Sequence, residues 1–445
     1  MKRIRDILTR NKTPVEVLDG ISYKQVKIRT NYNGVVLRGT LDGATILTKN
    51  QSTVSAGQFI LSRIDARNGA FGIIPKHLQG AIVTNDFLAF DINEDEVERE
   101  FFNIFLQSPQ FLEACIKASR GNTNRKRVDE EFFLNYEVNL PDLPQQQALI
   151  QRINQARGQL GIAQHEITHQ QSLLAKLKQA ILHEAIQGKL TADWRAAHPD
   201  VEPASQLIQS IQSEKARLIA AKQLRSEKPL PKIAPDEIPF DIPKGWVWCS
   251  VGDLGTSTRG KTPRYKKETD KIILNQKCIR WALIDLSHAK SVDNTQYDES
   301  NKCLFTRIGD LMVNSTGEGT IGRSAIITEE STGLLFDTHV LRFRPFSLQL
   351  LYTAYLMYLI NSDYGQSRIN SLKGAQTTKQ TELGTTNLNG ILVPLPPFEE
   401  QIAVVDRVEG LMATCRALEK EIEHGRTHAA YLLQAVLKEA FSKET

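Results

Sequence analysis

Five cysteines in 445 residues, odd in number and never spaced as Cys-x-x-Cys, exclude a disulfide framework and a thiolate zinc module. Cys115, Cys249, Cys278, Cys303 and Cys415 stand far apart in the sequence, which points to a reducing compartment. Long apolar runs are also missing. The longest, near Leu350 to Ile360, is too short to cross a bilayer. The basic start Met1-Lys2-Arg3 leads into no apolar segment of the kind that signal peptides carry. The expectation is a soluble, cytoplasmic protein with no membrane partner. Charge of one sign is scarce too: a net +4 gives no global electrostatic case for a polyanion, so only local clusters can make one. A length of 445 residues with 41% hydrophobic content supports two or three domains with real cores.

What the chain does have is a duplication. Val138 to Ala185 reappears 255 residues later, without a gap, as Val393 to Ala440, with 16 identities in 48 aligned positions. Leu140-Pro141 aligns with Leu395-Pro396, Gln146 with Gln401, Arg152 with Arg407, and Glu166-Ile167 with Glu421-Ile422. Both copies carry a seven-residue apolar period. Ile153, Leu160, Ile167, Leu174 and Ile181 define it in the first copy, and Val408, Cys415, Ile422, Ala429 and Val436 in the second. Leu177, Leu411, Leu418 and Leu432 stand beside them. A sustained pattern of this kind predicts long helices that pack on another helix, here on each other. The first should run from about Pro144 to Lys189, on the order of 60 Å at the rise of an α-helix.

Residues 1–137 have the short apolar runs and punctuating glycines of a mixed α/β domain. Val35-Val36-Leu37, Phe59-Ile60-Leu61 and Ala81-Ile82-Val83 read as strands, and Glu96 to Ser119 as a helix. Residues 191–237 form a connector with a helical piece and a proline-bearing linker. Residues 238–392 repeat the first domain more weakly. Gly309-Asp-Leu-Met-Val-Asn matches Gly57-Gln-Phe-Ile-Leu-Ser, Gly319 to Gly322 matches Asn68 to Gly72, and Asn361-Ser362 matches Gln107-Ser108. The fold class expected is α+β: two similar domains, 1–137 and 238–392, and two long helices, 138–190 and 393–445, folded back antiparallel as an internal duplication with an approximate two-fold axis. A dimer's symmetry is what recognition of two DNA half-sites uses.

Three motifs carry candidate chemistry. Gly255 to Thr262 fits the phosphate-binding pattern GxxxxGK[ST], which makes a P-loop ATP-binding protein the alternative function, but Pro263 to Asp270 has no apolar face with which to dock the helix such a loop requires. The alternative reading is a glycine-hinged basic loop. Arg259, Lys261, Arg264, Lys266 and Lys267 give five positive charges in nine residues, with Thr262 and Tyr265 among them, a set suited to phosphates and base edges. His165-Glu166-Ile167-Thr168-His169 fits the helical zinc-protease signature, yet Ile167 is a heptad position and the second copy has Lys420 in place of the first histidine. That match is a coincidence, and no metal site is expected. Arg120-Gly-Asn122-Thr-Asn124-Arg125-Lys126-Arg127 has four positive charges and no acid, and Lys373-Gly-Ala-Gln376-Thr377-Thr-Lys379 stands at the same place in the second domain. Solvated loops or plain turns could have this composition. Matched placement in both domains favours a shared ligand, and the chemistry favours nucleic acid. Arg63 and Arg67 join the candidates in the first domain. No catalytic Ser/His/Asp or Cys/His set, methyltransferase Asn-Pro-Pro-Tyr motif or nuclease carboxylate–lysine set is evident, so the chain reads as a binder rather than an enzyme.

These features resemble the DNA-specificity subunit of type I restriction–modification systems. The resemblance rests on Ile242-Pro-Lys-Gly-Trp246, Gly260-Lys-Thr-Pro263, Gly309-Asp-Leu and Leu395-Pro-Pro-Phe-Glu-Glu-Gln-Ile402. It rests also on Leu177 to Leu182 and Gln187-Gly-Lys-Leu-Thr-Ala-Asp-Trp194. It implies two target-recognition domains separated by a pair of long antiparallel conserved helices. Each domain would read one half of a split double-stranded DNA site, with the helices as a ruler for the spacer. The helices would also dock two adenine-N6 methyltransferase subunits, to which restriction and motor subunits add. S-adenosylmethionine and ATP would belong to those partners, with no cofactor on this chain. The first domain lacks the Pro-x-Gly-Trp opening, which leaves its start open.

Overall fold

The computed structural model describes residues 1–121, 126–226, 230–267, 269–372 and 382–441, and the side chains of the second long helix as far as Leu432 together with Ala435. The chain divides into two compact units, residues 1–166 with 425–445, and residues 167–424. The division cuts both long helices near their middles.

In the first unit Leu8–Asn11, Phe87–Ile92, Phe59–Ser62 and Phe71–Ile73 form a four-stranded antiparallel sheet in that order. In the second, Gly255–Arg259, Val340–Pro345, Leu311–Asn314 and Ser324–Ile326 form the same sheet in the same order. Each has a second sheet containing one parallel pairing, Ser22–Ile28 with Ala81–Val83 in one and Ile272–Leu274 with Leu335–Phe336 in the other. The second sheet has five strands in the first unit and three in the second, so the duplicated domains differ chiefly there. The matched glycines recur to within two degrees: Gly57 has φ +86° and Gly309 φ +84°, a left-handed conformation that suits glycine, at the turn entering the central strand.

The edges of the domains also correspond. Lys2–Arg3 pairs with Glu137–Val138, and Val247–Ser250 with Leu392–Leu395. Each pair is followed by one helical turn, Ile4–Ile7 or Val251–Leu254. The Arg3 amide donates to Asp6 Oδ2 at 2.7 Å, and the Ser250 amide donates to Asp253 Oδ2 at 2.8 Å. The first domain thus has the same opening as the second without its Pro-x-Gly-Trp residues. Glu96 to Ser119 is not one helix. Arg99–Phe105 ends at Leu106, and Ser108 caps a second helix, Pro109–Ala118, with proline at its first position, where the missing amide has no intrahelical partner to lose. Thr353–Asn361 and Asp363–Leu372 repeat this broken pair in the second unit.

Aromatic edges fill the first core: Phe59 meets Phe102 and Phe111 edge-to-face at 5.4 and 5.6 Å, the geometry ring quadrupoles favour. In the second unit Tyr355, Leu356, Leu359 and Ile360 are buried with Trp246 and Val404, Val405 and Val408 of the second long helix.

The long helices are Leu143–Ile186 and Phe398–Phe441, 44 residues each. Within the second unit they run antiparallel. Thr191, just past the end of one, bonds Glu400 at the start of the other, and Lys178 pairs with Glu419 at 2.5 Å. Ile153, Leu174, Ile181, Val408 and Cys415 are buried, and Leu160, Ile167 and Ile422 half-buried, on the faces the seven-residue period marks. The Val436 side chain lies outside the described residues. Leu177, Leu411, Leu418 and Leu432, expected beside that seam, are exposed instead, Leu432 by 56%.

Candidate nucleic-acid interface

The basic cluster of the first domain sits on a hairpin. Ser119–Arg120 pairs antiparallel with Arg127–Val128, and the Val128 amide donates to the carbonyl of Arg63 at 2.8 Å, tying the hairpin to the end of the central strand. Arg120, Lys126 and Arg127 are exposed. The Arg120 guanidinium lies 4.3 Å from the Phe132 ring centroid and 3.7 Å from Asp129, and Arg127 pairs with Asp86 at 3.1 Å. Asn122, Asn124 and Arg125 lie outside the described residues. Arg63 is placed differently from the others. It is half-buried and bonds Glu130 at 2.8 Å, a carboxylate that Arg10 shares at 3.1 Å. Burial holds the Arg10 guanidinium below its ordinary range, with the neighbouring Arg63 charge adding to the effect and Glu130 opposing both. This trio braces the hairpin. Arg67, also half-buried, lines a surface groove of about 480 Å³ with Asn31, Tyr32 and Asn68.

In the second domain the sequence Gly255 to Thr262 is not a loop around a phosphate. Gly255–Arg259 is a strand paired with Val340–Pro345, and the described residues after Thr262 form no helix before the strand Ile272–Leu274. The glycines serve close packing: a Cβ on Gly260 would stand 2.2 Å from the carbonyl oxygens of both Phe336 and Asp337, and one on Gly255 2.3 Å from the carbonyl of Arg344. Lys261 is likewise spent on structure, its amide donating to Phe336 O at 2.9 Å and its Nζ to Asn301 Oδ1 at 2.7 Å. Arg259 bonds Glu382 and the Thr338 carbonyl. Both the nucleotide reading and the hinged-loop reading therefore fail for 255–261, because Gly255–Arg259 is a sheet strand and Gly260 and Lys261 are packed directly against Phe336 and Asp337.

The basic loop begins only at Thr262. Gln296, 3% exposed, holds it with both ends of its amide, donating to Thr262 O at 3.0 Å and accepting from the Arg264 amide at 2.7 Å. Thr262, Arg264, Lys266 and Lys267 are exposed, as is Tyr265, whose ring lies 4.9 Å from Lys290 Nζ. Lys266 approaches Asp293 at 3.6 Å. Lys373, Gln376, Thr377 and Lys379 lie outside the described residues, so the matched clusters are seen on one side only.

His165, Glu166 and His169 are exposed on the first long helix, and no group of three metal-ligating side chains occurs among the described residues. No helix among them is long and apolar enough to cross a membrane.

Sequence reasoning missed Gln296, whose only signal is being a buried amide, and it missed Glu400. The Glu400 carboxylate, 1% exposed, accepts from Thr191 Oγ1 and from Trp246 Nε1, both at 2.7 Å, and pairs with Arg195. Arg195 also donates to the Gly188 carbonyl at 2.7 Å, and a Cβ on Gly188 would stand 2.6 Å from Pro243 Cγ. Three separate sequence signatures, Gln187 to Trp194, Pro243 to Trp246 and Leu395 to Ile402, thus meet at one buried carboxylate.

A family model described as the type I restriction modification DNA specificity domain matches residues 243–424. The EcoEI specificity subunit of Escherichia coli is 22% identical over 400 residues, covering 78% of this chain, and the EcoAI subunit is 24% identical over 394 residues. Each of those alignments spans 65% of the relative's length, just under two thirds. The EcoBI specificity subunit, 23% identical, is covered to 84% and covers 96% of this chain. Among solved structures, the HsdS subunit of Thermoanaerobacter tengcongensis superposes with a TM-score of 0.54 at 15% identity, covering 100% of this chain and 96% of its own, a likeness of fold. With the duplicated domains, the long helices and these relatives together, the chain is similar to type I restriction–modification specificity subunits, and residues 243–424 match the model of their DNA specificity domain.

Proposed function

We propose that this chain is a non-catalytic DNA-recognition subunit acting in the cytoplasm. Each globular domain reads one half of a bipartite double-stranded target. The observation that carries this reading is the repetition of one sheet order in two domains, each presenting an exposed basic segment. Arg120, Lys126 and Arg127 in the first domain, and Thr262, Arg264, Lys266 and Lys267 in the second, supply its phosphate and base-edge contacts. Arg67 belongs to the same surface. Arg63, Arg259 and Lys261 shape it from behind.

The relatives' names place them in type I restriction enzymes, so this chain's partners would be two adenine-N6 methyltransferase subunits and the restriction and motor subunits. S-adenosylmethionine and ATP would be held by those partners. Exposed leucines on the long helices, Leu173 and Leu177 on one and Leu411 and Leu418 on the other, offer an apolar surface of the kind that marks protein docking. Co-expression with the cognate methyltransferase, followed by sequencing of methylated adenines in host DNA, tests the reading. One split motif that disappears when this chain is deleted supports it. An active methyltransferase bound to the chain that marks no split motif overturns it.

A further inference from the structure

Among the described residues, four other than glycine adopt a left-handed backbone: Asn31, Tyr32, Lys222 and Ala282. Three of the four stand at two hairpin tips, one in each recognition domain. Residues 29–34 link Ser22–Ile28 to Val35–Asp42, with Asn31 at φ +57° and Tyr32 at φ +59°. Trp281 and Ala282 link Ile279–Arg280 to Leu283–Ile284, with Ala282 at φ +56°. Such backbone costs energy in residues with a Cβ, persists only where the surroundings enforce it, and clusters at functional sites.

The enforcement takes the same form in both domains. Each tip is hydrogen-bonded to the turn or strand that follows the central strand. Asn31 N donates to Asn68 O at 2.8 Å, Tyr32 N to Gly69 O at 3.1 Å, and Ala282 N to Ser324 O at 3.0 Å. A Cβ on Gly69 would crowd the Tyr32 amide at 3.1 Å, so that glycine is needed for the tip to seat. Each seated tip presents an aromatic ring to solvent, Tyr32 39% and Trp281 50% exposed, and an arginine stands beside each. Arg67 shares the Tyr32 groove, and Arg323 lies 5.8 Å from the Trp281 ring.

The linings of the grooves mix cationic, amide and acidic side chains. Tyr32 also borders a groove of about 610 Å³ with Glu98, Arg99, Asn103 and Gln107. Trp281 borders one of about 780 Å³ with Lys178, Gln179, Arg416 and Glu423. Amides that pair with adenine, carboxylates that accept from the cytosine amine, and an aromatic face that packs on a base are the groups base reading uses. A two-stranded ribbon is also a shape the major groove admits.

We propose that the two tips are paired base-contacting elements, Tyr32 reading one half-site and Trp281 the other, each held rigid by its strained turn. The proposal rests on the DNA-reading function above. Its test uses the full chain co-expressed with its methyltransferase, comparing wild type with Tyr32→Ala, Tyr32→Phe, Trp281→Ala and Trp281→Phe. Methylated motifs are sequenced, and affinity for the wild-type site is measured at fixed salt. Tyr32→Ala should relax one half of the motif and Trp281→Ala the other, each with a loss in affinity on the order of ten-fold. The phenylalanine variants should keep the motif, and all four variants should still melt in a cooperative transition. Alanine variants that keep both motif and affinity overturn the proposal. So does a Trp281→Ala chain that loses the methyltransferase on co-purification while its affinity for the site is unchanged, which would make the tip a protein contact. A wild-type complex that marks no split motif overturns the DNA reading itself, an outcome distinct from the other two.

Discussion

Gln146 and Gln401, 255 residues apart in the sequence, make the same two hydrogen bonds. Gln146 accepts from the Glu98 amide at 2.8 Å and donates to Pro141 O at 2.9 Å. Gln401 accepts from the Tyr352 amide at 2.9 Å and donates to Pro396 O at 3.1 Å. Glu98 and Tyr352 are the N-cap residues of corresponding domain helices. Neither cap side chain accepts from its own helix, and the glutamine reaches across from the start of a long helix to satisfy the cap residue's amide. Alanine at either position strands a half-buried amide donor and the carbonyl that the glutamine now bonds. Each substitution should destabilise by about 2–4 kcal/mol, read as a shift in the denaturant midpoint. The two sites share no partner, so the effects should add in the double variant.

A second prediction concerns Glu400. Glutamine there keeps one acceptor but presents an amide donor where the Trp246 or Thr191 donor now points, and it removes the negative charge that pairs with Arg195. Removing one partner of a buried pair costs about 3–5 kcal/mol, so Glu400→Gln should lower the melting temperature far more than Gln145→Glu, which alters the aligned residue of the first helix. Equal melting temperatures for Glu400→Gln and wild type would refute the clamp.

The difference between these two sites explains what was legible in the sequence. Gln146 and Gln401 could be aligned because the same bonds are needed twice, and a gap-free repeat exposes such needs. The heptad positions were legible for the same reason: periodicity encodes a buried stripe, and Ile153, Ile181 and Val408 lie on it. The exposure of Leu177 and Leu411 was not, since apolar spacing does not say whether the covering surface is within the chain. The broken helix after Glu96 was hidden by an apolar pattern that runs through Ser108-Pro109. The pattern at Gly255 to Thr262 misled in the other direction. Glycines required by neighbouring carbonyls look, in one dimension, like glycines required by phosphate.

That last distinction is itself testable. Gly260→Ala places a methyl group against two backbone carbonyls that cannot move independently of the sheet. It should unfold or strongly destabilise the second domain, seen as loss of its cooperative transition. Lys261→Ala should cost only about 1 kcal/mol through the lost Asn301 bond, and ATP should raise the melting temperature of neither wild type nor variant. An ATP-dependent rise abolished by Lys261→Ala would restore the nucleotide reading.

Asp337 gives a pH prediction. Burial raises its carboxyl above the ordinary value of 3.8, outweighing the His339 amide hydrogen bond and the charges of His339 and Lys290. A carboxyl with a raised folded-state pKa stabilises the fold at pH below its unfolded value, and this contribution is lost as pH rises through the folded value. At neutral pH the ionised group is a net burden. Asp337→Asn keeps an oxygen to accept from the His339 amide, 2.9 Å away. The variant should melt higher than wild type at pH 7, and the gap should shrink as pH falls towards 4. A constant gap from pH 4 to 7 would show that the charge is not the cause.

The basic loop of the second domain makes the sharpest electrostatic prediction because its members differ in what they touch. Lys267 is exposed, whereas Lys261 is bonded to Asn301. Each phosphate contact releases about one counterion, so Lys267→Ala should weaken binding to all duplexes alike and flatten the slope of log K against log salt by roughly one. Lys261→Ala should leave the slope unchanged and act only through stability. Arg264→Ala separates the remaining cases. If its guanidinium reads a base, the methylated motif relaxes at one position while the slope holds. If it contacts a phosphate, the slope falls and the motif holds. A loop on which none of these variants moves slope, affinity or motif is a solvated surface, and the DNA-facing side of the second domain would then have to be sought elsewhere on it.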